Sequence, residues 1–220
     1  MGEIEIKQET KNIMIHANII LYGQAADEMI TKRVGEEIRD MGNEPQGKVW
    51  LGDDIYTVNF MIKEYFFPIL EPIHIHQNNN PRNNYFRIEE YAAIKISSVD
   101  GLGSNTGYFL RVNLEQRSTA AHEFGHTMGL VHPSILDIRG KGAPGIMYPR
   151  GTIVDPEYQY DPKAAPGGHN GTMNPAARRV KQEDIDQLNL PALIASNYPI
   201  IGKLSNVYHE MQVNPEPPMA

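Results

Sequence analysis

The chain contains no cysteine. Disulfide bonds therefore do not stabilise it, and a zinc site made of thiolates is excluded. The chain also lacks any run of about 18 apolar residues, so we expect no membrane-spanning helix. Its first residues show no basic segment followed by an apolar stretch, so no secretory signal peptide is visible there.

Positive charge is scarce as well, because 20 lysines and arginines stand against 27 aspartates and glutamates and leave a formal net charge of −7. This balance argues against a general nucleic-acid binder, since phosphate binding requires a positive surface. The 220 residues, of which 40% are hydrophobic, are sufficient for one buried core. We therefore expect a single domain over residues 1–220, with no nucleic acid among its partners.

Periodicity in the first half of the chain predicts a strand, a helix and then several further strands. Residues 13–22 are rich in β-favouring side chains, whereas residues 24–41 carry apolar side chains at steps of three and four. Further strands are predicted over residues 48–51, 55–67, 91–97 and 108–114. A polar loop is predicted over residues 77–84, where asparagine is frequent.

The second half predicts two helices separated by a long irregular segment. The helices span residues 115–130 and about 175–190, and the segment of residues 133–175 between them is rich in glycine and proline. We expect an upper α/β subdomain over about residues 1–132 and a loop-rich lower one over about 133–200. Residues 205–220 are expected to form a flexible tail.

The residues with the clearest chemistry lie in the second predicted helix, where the segment 122–132 reads HEFGHTMGLVH. His122 and His126 are four residues apart, so both imidazoles lie on one helix face and can reach one metal ion. Gly129 allows the chain to leave the helix, and His132 can then provide a third ligand. Three protein ligands and a water form a catalytic zinc site.

Glu123 lies beside the first of these histidines and can reach a zinc-bound water rather than the metal. Zinc lowers the pKa of such a water towards ~7, and a carboxylate can then accept its proton. A short His-Glu-x-x-His segment also occurs by chance, and a histidine pair on a helix is often a surface pair. The longer pattern, which fixes three histidines, one glutamate and one glycine, favours the catalytic interpretation.

This pattern resembles the zinc motif of the metzincin peptidases, H-E-x-x-H-x-x-G-x-x-H. Those enzymes also carry a methionine turn below the metal, and the segment Gly145–Pro149 resembles the matrixin form of that turn. By this resemblance Met147 forms an apolar floor under the three imidazoles and is not a ligand. Met173, in the segment Thr172–Pro175, is a weaker candidate for the same role, and either methionine could instead be an ordinary core residue.

The resemblance implies an α+β, zincin-like fold. Metzincins have an upper mixed twisted sheet with two helices and a loop-rich lower subdomain that ends in a helix. The edge strand of the sheet usually binds the substrate backbone by strand addition. We expect that edge at residues 108–114 or in the glycine-rich segment just before them.

The chain also departs from individual metzincin groups. Astacins and serralysins place a tyrosine two residues after the turn methionine, where this chain has Pro149, so Tyr148 is not assigned as a further ligand. An inhibitory segment with a cysteine and glycine-rich calcium repeats are both missing. The resemblance therefore extends to metzincins as a class and not to a subfamily.

Other residues could hold a metal, although ordinary roles are commoner for them. His74 and His76 have the alternating spacing of a strand, which would place both rings on one face. Asp137, Asp155 and Asp161 lie in the irregular segment and could bind a structural calcium ion. Solvated surface positions are the more usual fate of such side chains.

The sequence thus predicts an exported or secreted zinc endopeptidase that hydrolyses peptide bonds through a zinc-bound water activated by Glu123. Its partner would be a protein or peptide substrate, and a monomer is the expected oligomeric state. Three alternatives remain open: a protease toxin aimed at one particular protein, a zinc-binding domain without activity that serves as a binding module, and a zinc hydrolase for a non-peptide bond. No pattern in residues 133–175 indicates the cleavage specificity.

Overall fold

The computed structural model describes residues 1–212 and shows a mixed α+β architecture. An eight-stranded sheet is its main element. The strands are β1 (Gly2–Lys7), β2 (Asn12–Tyr22), β3 (Lys48–Leu51), β4 (Asp54–Phe66), β5 (Asn83–Glu89), β6 (Ser98–Val99), β7 (Thr106–Leu110) and β8 (Ile200–Ile201). The helices are α1 (Glu28–Asn43), α2 (Pro72–His76), α3 (Arg111–Leu114), α4 (Thr119–Thr127), α5 (Gln182–Gln187) and α6 (Leu190–Ala195). Short 3₁₀ turns occupy Pro156–Tyr158 and Pro175–Ala177.

The sheet is mixed, with the strand order β3-β4-β2-β5-β7-β6. Strands β4, β2, β5 and β7 run parallel, whereas β3 and β6 pair antiparallel at the two ends of this order. The long strand β2 has two neighbours on one side, because its first half pairs with β1 and its second half with β5. Strand β8 adds to the free side of β1.

The main core lies between the sheet and helices α1 and α4. Alternate residues of β2, from Ile13 to Leu21, are fully buried, as the period of a strand requires. Helix α1 contributes Ile30, Val34, Ile38 and Met41 to the same cluster, at the steps of three and four that place side chains on one helix face. Complete burial of each such aliphatic side chain stabilises the fold by about 1.5–3 kcal/mol.

The predictions for β2, α1, β3 and β4 are confirmed, with small shifts at the ends. Helix α1 begins at Glu28 rather than at residue 24, because Asp27 is its N-cap and accepts a hydrogen bond from the Ile30 N–H at 2.7 Å. Strand β5 begins at Asn83, inside the predicted loop of residues 77–84. Strands β1, β5, β6 and β8 and helix α2 were not predicted.

One of the predicted strands is wrong, and another is correct only in its first three residues. Residues 91–97 form bends without ladder pairing, and Ile94 and Ile96 are exposed. The predicted strand over residues 108–114 ends at Leu110, after which the chain turns into α3. Strand β7 is also not the edge of the sheet, since β6 pairs with it through Ser98 and Val99.

The two predicted helices of the second half are shorter than expected. Helix α4 spans only Thr119–Thr127, because Ser118 has a positive φ of 88° at its start and the chain turns at Gly129. The helix predicted over residues 175–190 is interrupted. Asn189 adopts the left-handed conformation with φ 50°, which separates α5 from α6.

The segment that follows β8 packs against the sheet over its described part. Asn206 exchanges hydrogen bonds with Asn78 and Asn105, and the ring of Tyr208 stacks on Tyr22 with centroids 5.7 Å apart. A flexible tail was predicted from residue 205 onward. In the structure, residues 205–212 are instead held against the sheet by these contacts. The remainder of that prediction, residues 213–220, lies outside the described residues. Among residues 1–212, no helix is long and apolar enough to cross a membrane.

Candidate metal centre

Three histidines converge at the C-terminal end of helix α4. His122 and His126 lie one turn apart on the helix, and the Nε2 atom of His132 lies 3.0 Å from the Nε2 atom of each. Ligand nitrogens around a tetrahedral zinc ion, with Zn–N bonds of ~2.05 Å, lie roughly 3.3 Å apart. The three imidazoles are therefore close enough to hold one metal ion.

The turn after the helix brings the third histidine back towards the first two. Gly129 has a φ of +90°, and a Cβ added there would meet no atom within 4 Å. The glycine is thus required for its backbone conformation rather than for space. The Leu130 N–H donates to the Gly125 carbonyl at 3.1 Å, which closes the end of the helix and directs His132 towards it.

Hydrogen bonds to backbone carbonyls fix two of the rings. The Nδ1 atom of His122 lies 2.7 Å from the Ile146 carbonyl oxygen, and that of His126 lies 2.8 Å from the Leu130 carbonyl oxygen. Because a carbonyl only accepts, these Nδ1 atoms carry the proton and donate it. The Nε2 lone pairs consequently face the shared point, as metal ligation requires.

The three histidines are held in the neutral state that binds metals. Burial lowers the pKa of all three, most strongly for His122. Interaction with the Arg178 guanidinium lowers each pKa further. A metal ion therefore does not have to displace ring protons from this site at neutral pH.

Glu123 lies in the same cleft as the three histidines and is only 7% exposed. Burial raises its pKa to about 8, although the positive charges of Arg178 and Arg150 act in the opposite direction. Among the described residues, no side chain or backbone group donates a hydrogen bond to its carboxylate, and no cation lies within ion-pair distance. Its oxygens are therefore available to a molecule in the cleft.

The two candidate methionines occupy different places. Met147 is buried in the main core beside α4, and a Cβ added to Gly125 would lie 2.5 Å from its Sδ atom. Met173 belongs to a separate cluster with Ile138 and Val154. Only Met147 thus lies against the helix that carries His122 and His126.

Contacts from distant segments support the site, and the sequence did not reveal them. The Glu37 carboxylate on α1 accepts hydrogen bonds from the backbone of the first turn of α4, including the Ala121 N–H at 3.1 Å. Asp184 on α5 accepts from the backbone of Ile146, whose carbonyl in turn holds His122. Neither acid lies in a motif, and only the folded chain brings them to the site.

The site lies in a cleft with a volume of about 600 Å³. One wall is formed by residues 95–99, which include the edge strand β6, and the other by residues that follow Met147. Arg150 and Arg178 lie in this second wall, and sequence reasoning missed both. Their position depends on the long irregular segment, which has no readable periodicity.

The other predicted metal residues do not converge. His74 and His76 lie in helix α2, so the strand spacing assigned to them is wrong, and His76 contacts the Asn206 backbone instead. Asp137 pairs with Arg139, Asp155 accepts from the Gly140 N–H, and Asp161 accepts from the Lys163 N–H. Within residues 1–212, His122, His126 and His132 form the one group of three or more such side chains close enough to share an ion.

The fold and the site define an α+β protein with a three-histidine centre able to bind a metal ion, and a glutamate beside it. No family model matches this chain. A comparison with curated proteins gives no match either.

Proposed function

We propose that this protein is a zinc-dependent endopeptidase of the metzincin type. The observation that carries the proposal is the convergence of three neutral imidazoles with the Glu123 carboxyl in one cleft. A set of three nitrogen donors suits zinc better than the harder ions calcium and magnesium, which prefer oxygen. His122, His126 and His132 would hold the ion.

When bound there, zinc supplies a Lewis acid that polarises the peptide carbonyl and lowers the pKa of an attacking water. Glu123 accepts the proton of that water and passes it to the nitrogen of the leaving amine. The carboxylate is suited to this role because its oxygens face the cleft without a partner among the described residues. Ile146 and Leu130 hold the histidine rings in the required tautomer.

Two further features support a metzincin. A mixed sheet with helices α1 and α4 forms the upper part, and a loop-rich lower part ends in short helices. Met147 lies buried against the histidine helix, as the proposed methionine turn requires. Strand β6, with Ser98 and Val99, is the edge that lines the cleft, so we assign substrate strand addition to β6 instead of residues 108–114.

The test combines metal content with cleavage. Purified protein, refilled with zinc, is analysed by mass spectrometry and incubated with a diverse peptide library with and without a chelator. We expect about one zinc per chain and cleavage that the chelator abolishes. A folded protein that takes up no zinc would overturn the proposal.

Replacement of the proposed base separates catalysis from metal binding. We expect the variant Glu123→Gln to bind one zinc and to lose at least ~100-fold in kcat, because general-base catalysis contributes factors of this size. Zinc content and turnover on the best library peptide are measured together. Undiminished turnover in the zinc-loaded variant would exclude the assigned role.

A binding module without catalytic activity is the second candidate. The position of Glu123, in the cleft beside the three histidines, is evidence against it. A buried carboxyl without a partner destabilises the fold and has no use in a purely structural metal site. Its presence beside the three histidines therefore favours catalysis.

A further inference from the structure

The cleft carries positive charge although the chain as a whole is acidic. Three cationic side chains line it, namely Lys95, Arg150 and Arg178, and Glu123 is the only acidic residue among the lining residues. The whole chain has a net charge of −7. The sign of the charge is thus reversed where a substrate would bind.

Arg178 is the unusual member of this group because its side chain is buried. The residue is only 3% exposed, and its Nε–H donates to the Tyr148 carbonyl at 2.8 Å. Among residues 1–212, no carboxylate lies within ion-pair distance of it, and neither Nη1 nor Nη2 makes a hydrogen bond. A buried guanidinium without an anion is costly, and such residues normally have a partner.

Arg150 adds a second positive charge on the same wall. Its Nη2 lies 3.3 Å from the Oδ1 atom of Asn113, a buried residue that also lines the cleft. Burial, together with the charge of Arg150, lowers the pKa of Arg178 to about 10. Two neighbouring guanidinium groups repel each other, and an anion bound between them and the three histidines would relieve this repulsion.

We propose that Arg178, assisted by Arg150, forms a carboxylate subsite that selects acidic substrates next to the scissile bond. The unused Nη donors of a guanidinium fit the two oxygens of a carboxylate. That carboxylate is an aspartate or glutamate side chain of the peptide. A free C-terminus carries the same group, and a preference for it would reassign the protein from endopeptidase to carboxypeptidase. This inference rests on the proposed peptidase function and defines the substrate class for the same site.

The experiment uses alanine-based hexapeptides, acetylated at the N-terminus, with a single glutamate or glutamine at each position in turn. Every peptide is made with a free and with an amidated C-terminus. We measure kcat/KM with the zinc-loaded protein and expect the glutamate peptide to be preferred by about tenfold or more. A preference for glutamate identifies a side-chain carboxylate, and a preference for the free C-terminus identifies the terminal one.

Variants then link the preference to the two arginines. Arg150→Gln and Arg178→Lys should both reduce the ratio of kcat/KM between each acidic peptide and its neutral partner. The first variant removes a positive charge, and the second keeps the charge but removes the planar guanidinium that can bind both carboxylate oxygens. Arg179→Gln is the matched control, because Arg179 is adjacent in sequence and does not line the cleft. Arg150 is exposed, so its replacement tests the proposal even if the Arg178 variant does not fold.

A binding measurement separates failure of the subsite from failure of the peptidase proposal. The same peptides are titrated calorimetrically against zinc-loaded Glu123→Gln protein. Tighter binding of the acidic peptides, lost on Arg150→Gln, supports the subsite whether or not the wild-type protein cleaves them. Cleavage or binding without any preference would overturn the subsite and leave the peptidase proposal intact.

Discussion

Glu123 shows how the environment of one residue sets its chemistry. It is a carboxyl group without a hydrogen-bond donor among the described residues, and burial raises its pKa from 4.5 to about 8. Without a metal, the folded protein therefore binds this proton more tightly than the unfolded chain does. The contribution of the protonated Glu123 carboxyl to the free energy of unfolding is fully present below pH 4.5, and it is lost as the pH rises through 8.

This difference gives a test on the metal-free protein. Relative to Glu123→Gln, the wild-type protein should lose roughly 3–5 kcal/mol of unfolding free energy between pH 4.5 and pH 9. The measurement is denaturant unfolding of both proteins with a chelator present. An unchanged difference between the two proteins across this range would show that the carboxyl is not desolvated.

At the scale of elements, helix α4 depends on a cap from another helix. Ser118 precedes it with a positive φ and provides no side-chain cap. The carboxylate of Glu37 on α1 instead accepts from the first N–H groups of α4, which have no partners within the helix. The histidine helix is therefore positioned by α1, although the two are far apart in sequence.

We expect Glu37→Ala to lower the unfolding free energy by about 1–3 kcal/mol, because buried N–H groups would lose their acceptor. Glu36→Ala is the matched control, since Glu36 makes only an exposed pair with Lys32 at 3.8 Å. Such surface pairs contribute at most about 0.5 kcal/mol. Denaturant unfolding of both variants is compared, and equal losses would contradict the capping role.

The contact between α4 and Met147 can be tested by a double-mutant cycle. Gly125→Ala would place a Cβ 2.5 Å from the Met147 Sδ atom. We expect this overlap to cost about 1–3 kcal/mol of unfolding free energy.

The same change in a Met147→Ala background should cost less or even stabilise, because the space is then free and alanine favours a helix. Additive effects in denaturant unfolding would exclude direct packing of the two residues. Zinc content of the four proteins reports whether the turn also supports the metal centre.

Local patterns predicted those elements whose stability depends on local features. The β-favouring residues of β2 and the amphipathic face of α1 were sufficient, and Gly129 indicated the turn that brings His132 to His126. The strand prediction for residues 91–97 was wrong because it depended on β-favouring residues such as Ile94 and Ile96, which are exposed in the structure. The edge of the sheet was also misplaced, because a strand of two residues, β6, is too short to show a period.

At the scale of the whole molecule, the convergence of the three histidines was predictable, but the surroundings of the site were not. The ligand spacing places His122 and His126 on one helix face whatever the rest of the fold. By contrast, Glu37, Asp184 and Arg178 reach the site only through tertiary packing, and a single sequence does not show such pairings. The charge of the cleft, which carries the specificity proposal, is therefore a property of the fold.

The last described segment, residues 205–212, packs against the sheet. Asn105 is fully buried, and its Oδ1 atom accepts hydrogen bonds from the N–H groups of Ser205 and Asn206 at 2.8 and 3.1 Å. Tyr208 covers Tyr22, which is only 2% exposed. Residues 205–212 thus satisfy a buried amide and shield an aromatic ring on the strand β2.

Truncation after Leu204 should therefore lower the unfolding free energy by about 3 kcal/mol or more, since buried polar groups lose partners and apolar surface becomes exposed. Truncation after Gln212 is the control, and the difference between the two proteins in denaturant unfolding isolates residues 205–212. Zinc content should stay near one per chain in both, because the hydrogen bonds of this segment are made at the sheet and not with the three histidines. Equal stability of the two truncated proteins would show that these contacts contribute nothing, whereas loss of zinc only in the shorter one would show that the segment also supports the metal centre.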